Sequence, residues 1–282
     1  MRYQRTLAGE LDVSGVALHG GGSVRAVLKP AQAGTGVIFE RDGQKIAACV
    51  ENVVCTQLAT TLGKGGTQIR TVEHLLSTLY GLGVDNVMVC VQGDELPILD
   101  GCGSAWVSRI QEVGLQEQSE LIRPLIMERS VEIRDGDRWA RLEPADGTEL
   151  DITIDFDHPC VGRQNLSLAL GPDTFDSELA WARTFGFERL VPAMQRLGLV
   201  RGGSLENALV FGEDAPLNEG GLRALDEPVR HKMLDALGDL ALLGHPICGR
   251  LVAERPGHGI VFQLILAVTS ATDSWRIDGT AT

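Results

Sequence analysis

The chain has 282 residues, enough for two modest domains that each bury a core. Its hydrophobic share of 44% and charged share of 22% are those of a packed globular protein and exclude a disordered or low-complexity chain. A formal net charge of −13 argues against nucleic acid as a partner, which needs a basic surface to release counterions, so any anionic ligand must meet cations placed locally. The segment Met1–Glu10 lacks the apolar run of a signal peptide and no later stretch is suited to spanning a bilayer, so a cytoplasmic location without a transmembrane segment is expected. Six cysteines are scattered without close pairs and are expected to be buried thiols.

In chain order, Val24, Ala26 and Leu28 share one face of a strand, and Val37 to Phe39 and Val87 to Val91 read as short buried strands. Between them Val72, Leu75, Leu76, Leu79 and Leu82 recur at helical spacing, with Thr71 as N-cap and Gly83 as stop. Ser104 caps a second predicted helix through Trp106 and Ile110. The polar stretch Gln116-Glu117-Gln118-Ser119-Glu120 then separates this block from new strands beginning near Leu125, which places a domain boundary there. Asp135-Gly136-Asp137 and Ala145-Asp146-Gly147 read as hairpin turns flanking Trp139 to Leu142 and Leu150 to Phe156. In the latter strand Leu150, Ile152, Ile154 and Phe156 face one way.

A helix from about Pro228 to Leu243 carries Pro228 in its first turn, where the missing amide costs nothing, and an apolar stripe of Val229, Met233, Leu237 and Leu240. On another face His231, Asp235 and Asp239 stack four residues apart. Val72-Glu73-His74 and Val229-Arg230-His231 form a faint internal repeat, each one turn into a leucine-bearing helix after a set of strands, which suggests two similar α+β domains with a histidine from each entering one cleft.

A histidine and a carboxylate four apart on a helix can reach one cation, and a third ligand from elsewhere leaves a coordination position open, the pattern of a catalytic zinc. On spacing alone, a helix with His231 and Asp235 is more often a surface ion pair than a metal site. Glu73 beside His74 suits a general base next to a metal ligand, but taken by itself it reads first as an acidic residue favoured by the dipole of a helix's first turn.

The motifs Thr71-Val72-Glu73-His74-Leu75, Gly83-Val84-Asp85-Asn86, Leu96-Pro97-Ile98-Leu99-Asp100-Gly101, Thr153-Ile154-Asp155-Phe156-Asp157-His158-Pro159, Ala182-Arg183-Thr184-Phe185-Gly186-Phe187 and Val229-Arg230-His231-Lys232-Met233-Leu234-Asp235 occur in one order. Together they resemble the UDP-3-O-acyl-N-acetylglucosamine deacetylases, with the similarity running from Gln4-Arg5-Thr6-Leu7 to Gly257-His258. The resemblance implies zinc ligands at His74, His231 and Asp235 and a general base at Glu73. It further implies that His258 protonates the leaving amine, that Asp239 pairs with His258, that the Thr184 hydroxyl steadies the oxyanion, and that Lys232 contacts substrate. Before the resemblance is considered, His258, Thr184 and Asp239 read as ordinary loop, turn and helix-surface residues.

For the substrate, the resemblance places Arg138, Lys232 and Arg255 near the nucleotide, with arginine at 138 and 255 where lysine is expected, keeping charge but altering geometry. It sets Phe156 near the uracil and His19 in the cleft. Residues 185–212 correspond to an insertion walled for the acyl chain by Phe185, Val191, Val200, Leu205 and Val210. Apolar residues at such spacing also build ordinary cores. The tail from about Ala271 matches nothing in the family.

The resulting expectation is an α+β fold of two similar domains, residues 1–121 and 122–282, each a β-sheet packed on helices, with the helices of both sandwiched around a zinc cleft. The expected activity is hydrolysis of the N-acetyl group of UDP-3-O-(3-hydroxyacyl)-N-acetylglucosamine, releasing acetate, the committed step of lipid A biosynthesis. A monomer is expected. Its rivals are a zinc deacetylase of another nucleotide-sugar amide and a silent binding module on the same fold.

Overall fold

Along Ser23–Pro30 alternate side chains leave water: Val24, Ala26 and Leu28 are buried while Ser23 and Arg25 are exposed. In the computed structural model, which describes residues 2–171 and 173–279, this strand lies between Leu11–Val16 and Val87–Gln92, and the five-stranded sheet continues through Val37–Arg41 to Gln44–Ala47. All pairings are antiparallel except that of Val37–Arg41 with Val87–Gln92. Helices α1 (Glu73–Leu82) and α2 (Ser104–Val113) cover one face, with Leu75, Leu76, Leu79, Trp106 and Ile110 joining the sheet's core. A leucine buried in this way stabilises the fold by about 1.5–3 kcal/mol, so this apolar stripe dominates any capping contribution.

The expected caps are indeed not used. Thr71 adopts a left-handed backbone (φ 56°) and its hydroxyl donates to Glu95 Oε1 at 2.8 Å, so Val72 takes the N-cap position of α1. Gly103 precedes α2, and Ser104 is the helix's first residue instead of its cap. Gly83 does end α1, in the left-handed conformation (φ 67°) that a Cβ disfavours.

The polar stretch expected to be a separator is a strand, Leu115–Leu121, antiparallel to Tyr3–Leu7. Its hydrophilic residues suit a two-stranded ribbon with a solvated face, and Gln118 ties the ribbon down by donating to Ala31 O and accepting from Asn86, both at 2.8 Å. A third sheet is formed by Val53–Cys55, Thr61–Lys64 and Thr67–Ile69.

After residue 121 a seven-stranded sheet is organised around Ile247–Glu254. That strand pairs antiparallel with Arg138–Glu143 on one side and parallel with Thr148–Phe156 on the other. Val131–Asp135 and Arg138–Glu143 form the hairpin expected at Asp135-Gly136-Asp137, with Gly136 at φ 61°. Ala145-Asp146-Gly147 is not a hairpin turn, because Ile247–Glu254 inserts between the two strands that it connects. Gly162–Ala169 completes the outer edge beside Thr148–Phe156, and Leu125–Met127 joins Ile247–Glu254 to Trp275–Ile277. The tail thus contributes a strand, and its last residues, 280–282, lie outside the described residues.

Residues 185–212 hold a small parallel pair, Phe185–Phe187 with Leu209–Phe211, with the short helix α3 (Val191–Arg196) between them in sequence. Helices α4 (Glu227–Leu240) and α5 (His258–Ser270) pack on the seven-stranded sheet. The apolar residues of α5 run almost without interruption, a pattern that does not separate a buried helix from a strand. Of the cysteines only Cys102 is buried; Cys55 is exposed and the others are half-buried, so the expectation of buried thiols fails for all but one. Among the described residues no helix is long and apolar enough to cross a membrane.

The two helical layers meet through α1 and α4. A Cβ placed on Gly238 would lie 2.1 Å from the Glu73 carbonyl oxygen and 2.8 Å from its carbon, so α4 approaches the first turn of α1 as closely as backbone atoms permit. Backbone cannot swing aside as a flexible side chain would. Gly238→Ala is therefore expected to lower stability by about 1–3 kcal/mol through overpacking, read as a fall in the urea midpoint at unchanged slope. An unchanged midpoint would mean that the two helices have slack at this contact.

Candidate metal centre

The contact between α1 and α4 sets the positions of three buried side chains. His74 is the second residue of α1, while His231 and Asp235 lie one turn apart on α4. One ligand atom from each lies within 4.8 Å of the others. Asp235 Oδ1 is 3.2 Å from His231 Nε2 and 3.5 Å from His74 Nε2, and the two imidazoles stand edge to face with centroids 5.0 Å apart. The faint repeat is unequal, since His74 opens its helix whereas His231 sits a full turn into its own.

His231 Nδ1 lies 3.0 Å from the Ala182 carbonyl, an acceptor that fixes the ring proton on Nδ1 and leaves a lone pair on Nε2. Burial lowers the pKa of His231 although Asp235 pulls it upward, which keeps the ring neutral. Asp235 is also penalised by burial, yet His231, Lys232 and His74 overcome the penalty and hold its pKa well below the usual carboxylate range. Lys232 Nζ donates to Asp235 Oδ2, while Oδ1 is buried with no hydrogen-bond partner among the described residues. An unpartnered carboxylate oxygen facing two imidazole nitrogens is costly unless a cation fills the space. Two imidazole nitrogens and one carboxylate suit a divalent metal ion with room for a further ligand.

Beside this group, Glu73 and His258 face each other, with His258 Nε2 3.8 Å from Glu73 Oε1. His258 Nδ1 is 2.8 Å from Asp239 Oδ2. Burial opposes the charge on His258, but Asp239, and further off Glu73 and Asp235, raise its pKa to about 9. Burial raises that of Glu73, only partly offset by His258 and His74. The site therefore holds a carboxylate made more basic and an imidazolium that remains protonated at neutral pH. His258 is the first residue of α5, which explains how a histidine from the Pro256-Gly257-His258-Gly259 turn becomes fixed and buried.

Thr184 lies between two residues that touch His231: Ala182, through its carbonyl, and Phe185, whose ring centroid is 6.3 Å away. The Thr184 amide donates to Gly101 O at 2.7 Å. Lys232 Nζ lies 5.8 Å from the Phe185 ring centroid, and Phe156 packs edge-on to Phe185 at 5.4 Å. Lys232, Phe185 and Phe156 thus lie together beside His231. Val200 is half-buried at φ 48° with its amide directed at His19 Nδ1 (3.4 Å), Val210 lies half-buried in Leu209–Phe211, and Leu205 is exposed. Arg255 pairs with Asp137, and Arg138 is exposed at the start of its strand.

His19 is buried, and because its Nδ1 accepts from Val200, the neutral ring carries its proton on Nε2. That atom has no partner among the described residues, and His19 lines a cavity of about 230 Å³ with Gln68, Arg70, Leu197 and Leu199. Glu95 anchors the His19 loop, accepting from the His19 amide at 3.0 Å, the Gly20 amide at 3.0 Å and the Thr71 hydroxyl at 2.8 Å. Arg183 fixes the Thr184 segment to α4 through Glu227, which is fully buried and accepts from Arg183 Nε at 2.8 Å and Nη2 at 3.0 Å. Sequence reading missed Glu95, Glu227 and Thr60. Glu227 precedes Pro228 at the opening of a recognised helix, a position where an acidic residue is ordinary, and nothing local marks Glu95 or Thr60 as buried.

The chain is similar to known proteins along almost its whole length. The family model described as UDP-3-O-acyl N-acetylglycosamine deacetylase matches residues 4–270. The chain is 45% identical over 276 residues to the UDP-3-O-acyl-N-acetylglucosamine deacetylase of Anaeromyxobacter dehalogenans (strain 2CP-C), covering 97% of this chain and 90% of that one. It is 43% identical to the protein of the same name from Myxococcus xanthus (strain DK1622), covering 97% and 88%, and 42% identical to that from Acidithiobacillus ferrooxidans (strain ATCC 53993 / BNL-5-31), covering 98% and 93%. With matches of this extent, the chain belongs to the UDP-3-O-acyl-N-acetylglucosamine deacetylase family.

Proposed function

We propose that the protein hydrolyses the acetamide of UDP-3-O-(3-hydroxyacyl)-N-acetylglucosamine, releasing acetate and the free amino sugar, the committed step of lipid A biosynthesis. The observation that carries this reading is the buried His74, His231 and Asp235 group, beside an acid–base pair, in a chain of this family. The ion assigned to the three ligands is zinc, which when bound supplies a Lewis acid that polarises the amide carbonyl and acidifies water.

Glu73 takes the proton of the attacking water through Oε1, the oxygen that faces His258. The Thr184 hydroxyl donates to the oxyanion as the carbonyl becomes tetrahedral. His258, held by Asp239 with its proton on Nδ1, delivers the Nε2 proton to the sugar nitrogen, which cannot depart as an amide anion. Both pKa values are raised, which makes the Glu73 carboxylate more basic and keeps His258 protonated, and this supports the division of labour.

In the same reading Arg138, Lys232 and Arg255 meet the nucleotide's phosphates, so positive charge is concentrated locally on a chain of net charge −13. Phe156 lies beside the uracil, and His19 offers Nε2–H to the sugar. The acyl chain runs along Phe185, Val200, Leu205 and Val210 of residues 185–212. We assign domains to residues 1–121 and 122–282, supported by the change of sheet after Leu121. The working form is a cytoplasmic monomer.

Purified protein loaded with zinc is expected to release acetate from the acylated UDP-sugar, and a chelator should abolish this until zinc is returned. Comparable turnover of UDP-N-acetylglucosamine without the acyl chain would contradict the substrate assignment. Glu73→Gln should retain its metal while the rate falls by about 10²–10⁴-fold, the usual worth of a positioned base.

The pH profile tests the acid. His258 is protonated below its raised pKa of about 9, so the rate should fall as pH rises through that value. Asp239→Asn removes the charge that offsets burial, and the alkaline limb should move down by about 1–3 pH units. An unmoved limb would assign the titration to another group.

A further inference from the structure

We propose that Thr60 is a positioning residue that sets the base and the acid of this site relative to each other; the proposal rests on the deacetylase reading for the roles of Glu73 and His258. Thr60 immediately precedes the strand Thr61–Lys64 and is buried to 1% exposure. Its backbone grips the start of α1, since its amide donates to Glu73 Oε2 at 3.0 Å and its carbonyl accepts from the Val72 amide at 3.3 Å. Its hydroxyl donates to Asp239 Oδ1 on α4 at 2.5 Å and lies 3.3 Å from His258 Nδ1 on α5. One residue therefore bonds to all three helices that carry the site.

The hydrogen bonds divide the work between the carboxylate oxygens. Occupying Glu73 Oε2 leaves Oε1 as the oxygen that faces His258 Nε2. Occupying Asp239 Oδ1 leaves Oδ2 for His258 Nδ1. Because the hydroxyl has a single proton, committed to Asp239, its remaining lone pairs can only accept, and they add a weaker second acceptor for the Nδ1 proton. The imidazole is thus held with Nδ1 as donor and Nε2 turned toward Glu73. Losing the hydroxyl strands a buried carboxylate oxygen, which costs more than the bond itself contributes. Among the described residues no hydrogen bond of Thr60 reaches the three ligand side chains, so its loss should spare the metal.

The test compares Thr60→Val, which keeps the shape without the hydroxyl, with Thr60→Ser, which keeps the hydroxyl. Zinc-loaded full-length proteins would be measured for acetate release, metal content and the NMR resonance of the His258 Nδ1 proton. Thr60→Val should lose about 10–100-fold in kcat, the range found for partners that orient active-site groups, with KM and zinc content little changed. Its Nδ1 resonance should shift or exchange faster with water, and Thr60→Ser should restore both readouts. Thr60→Ala replaces the valine variant if that protein does not fold. Unchanged kcat and resonance in Thr60→Val would overturn the proposal, as would equal damage in Thr60→Ser. Should wild type release no acetate while the resonance still responds to valine and recovers with serine, the positioning role stands and the deacetylase reading falls.

Discussion

The carbonyl of Glu73 occupies the space that a side chain at residue 238 would need. Because residue 238 is glycine, α1 and α4 touch backbone to backbone, and the remaining geometry follows from that contact. It brings His74 on one helix against His231 and Asp235 on the other, with ligand atoms within 4.8 Å. Each helix is fixed from behind by its own sheet through leucines that leave water completely, such as Leu75 and Leu237. The site is thus as rigid as the two cores that support it.

Burying Glu73, Asp235 and Asp239 together is costly unless each charge is answered. The answers differ. Asp235 receives Lys232 on one oxygen and turns the other toward the imidazoles. Asp239 receives the Thr60 hydroxyl and His258. Glu73 receives one backbone amide and the more distant charge of His258, and its pKa rises. The carboxylate whose pKa burial raises, Glu73, is the one to which the proposed mechanism gives the proton.

The helices and the alternating strands were legible because burial writes itself as periodicity: Val24, Ala26 and Leu28 on a strand, and Val229, Met233, Leu237 and Leu240 on α4. The spacing of His231, Asp235 and Asp239 also located a real cluster, which spacing alone could not separate from a surface ion pair; their burial separates the two. What was not legible depends on partners distant in sequence. Gln116–Glu120 forms a strand only because Tyr3–Leu7 pairs with it, and Thr71 abandons its cap for Glu95. Ala145-Asp146-Gly147 fails as a hairpin because residues a hundred positions later enter between its strands. Thr60 belongs to the site through bonds across 179 and 198 residues, for which no local pattern exists.

In the proposed site one metal ion is held between α1 and α4 by two imidazoles and a carboxylate. X-ray absorption at the zinc edge on the zinc-loaded protein tests it most directly. Only nitrogen and oxygen neighbours at about 2.0–2.2 Å, with the outer-shell scattering of two imidazoles, are predicted. Sulfur at about 2.3 Å would place the metal on a cysteine and contradict the account.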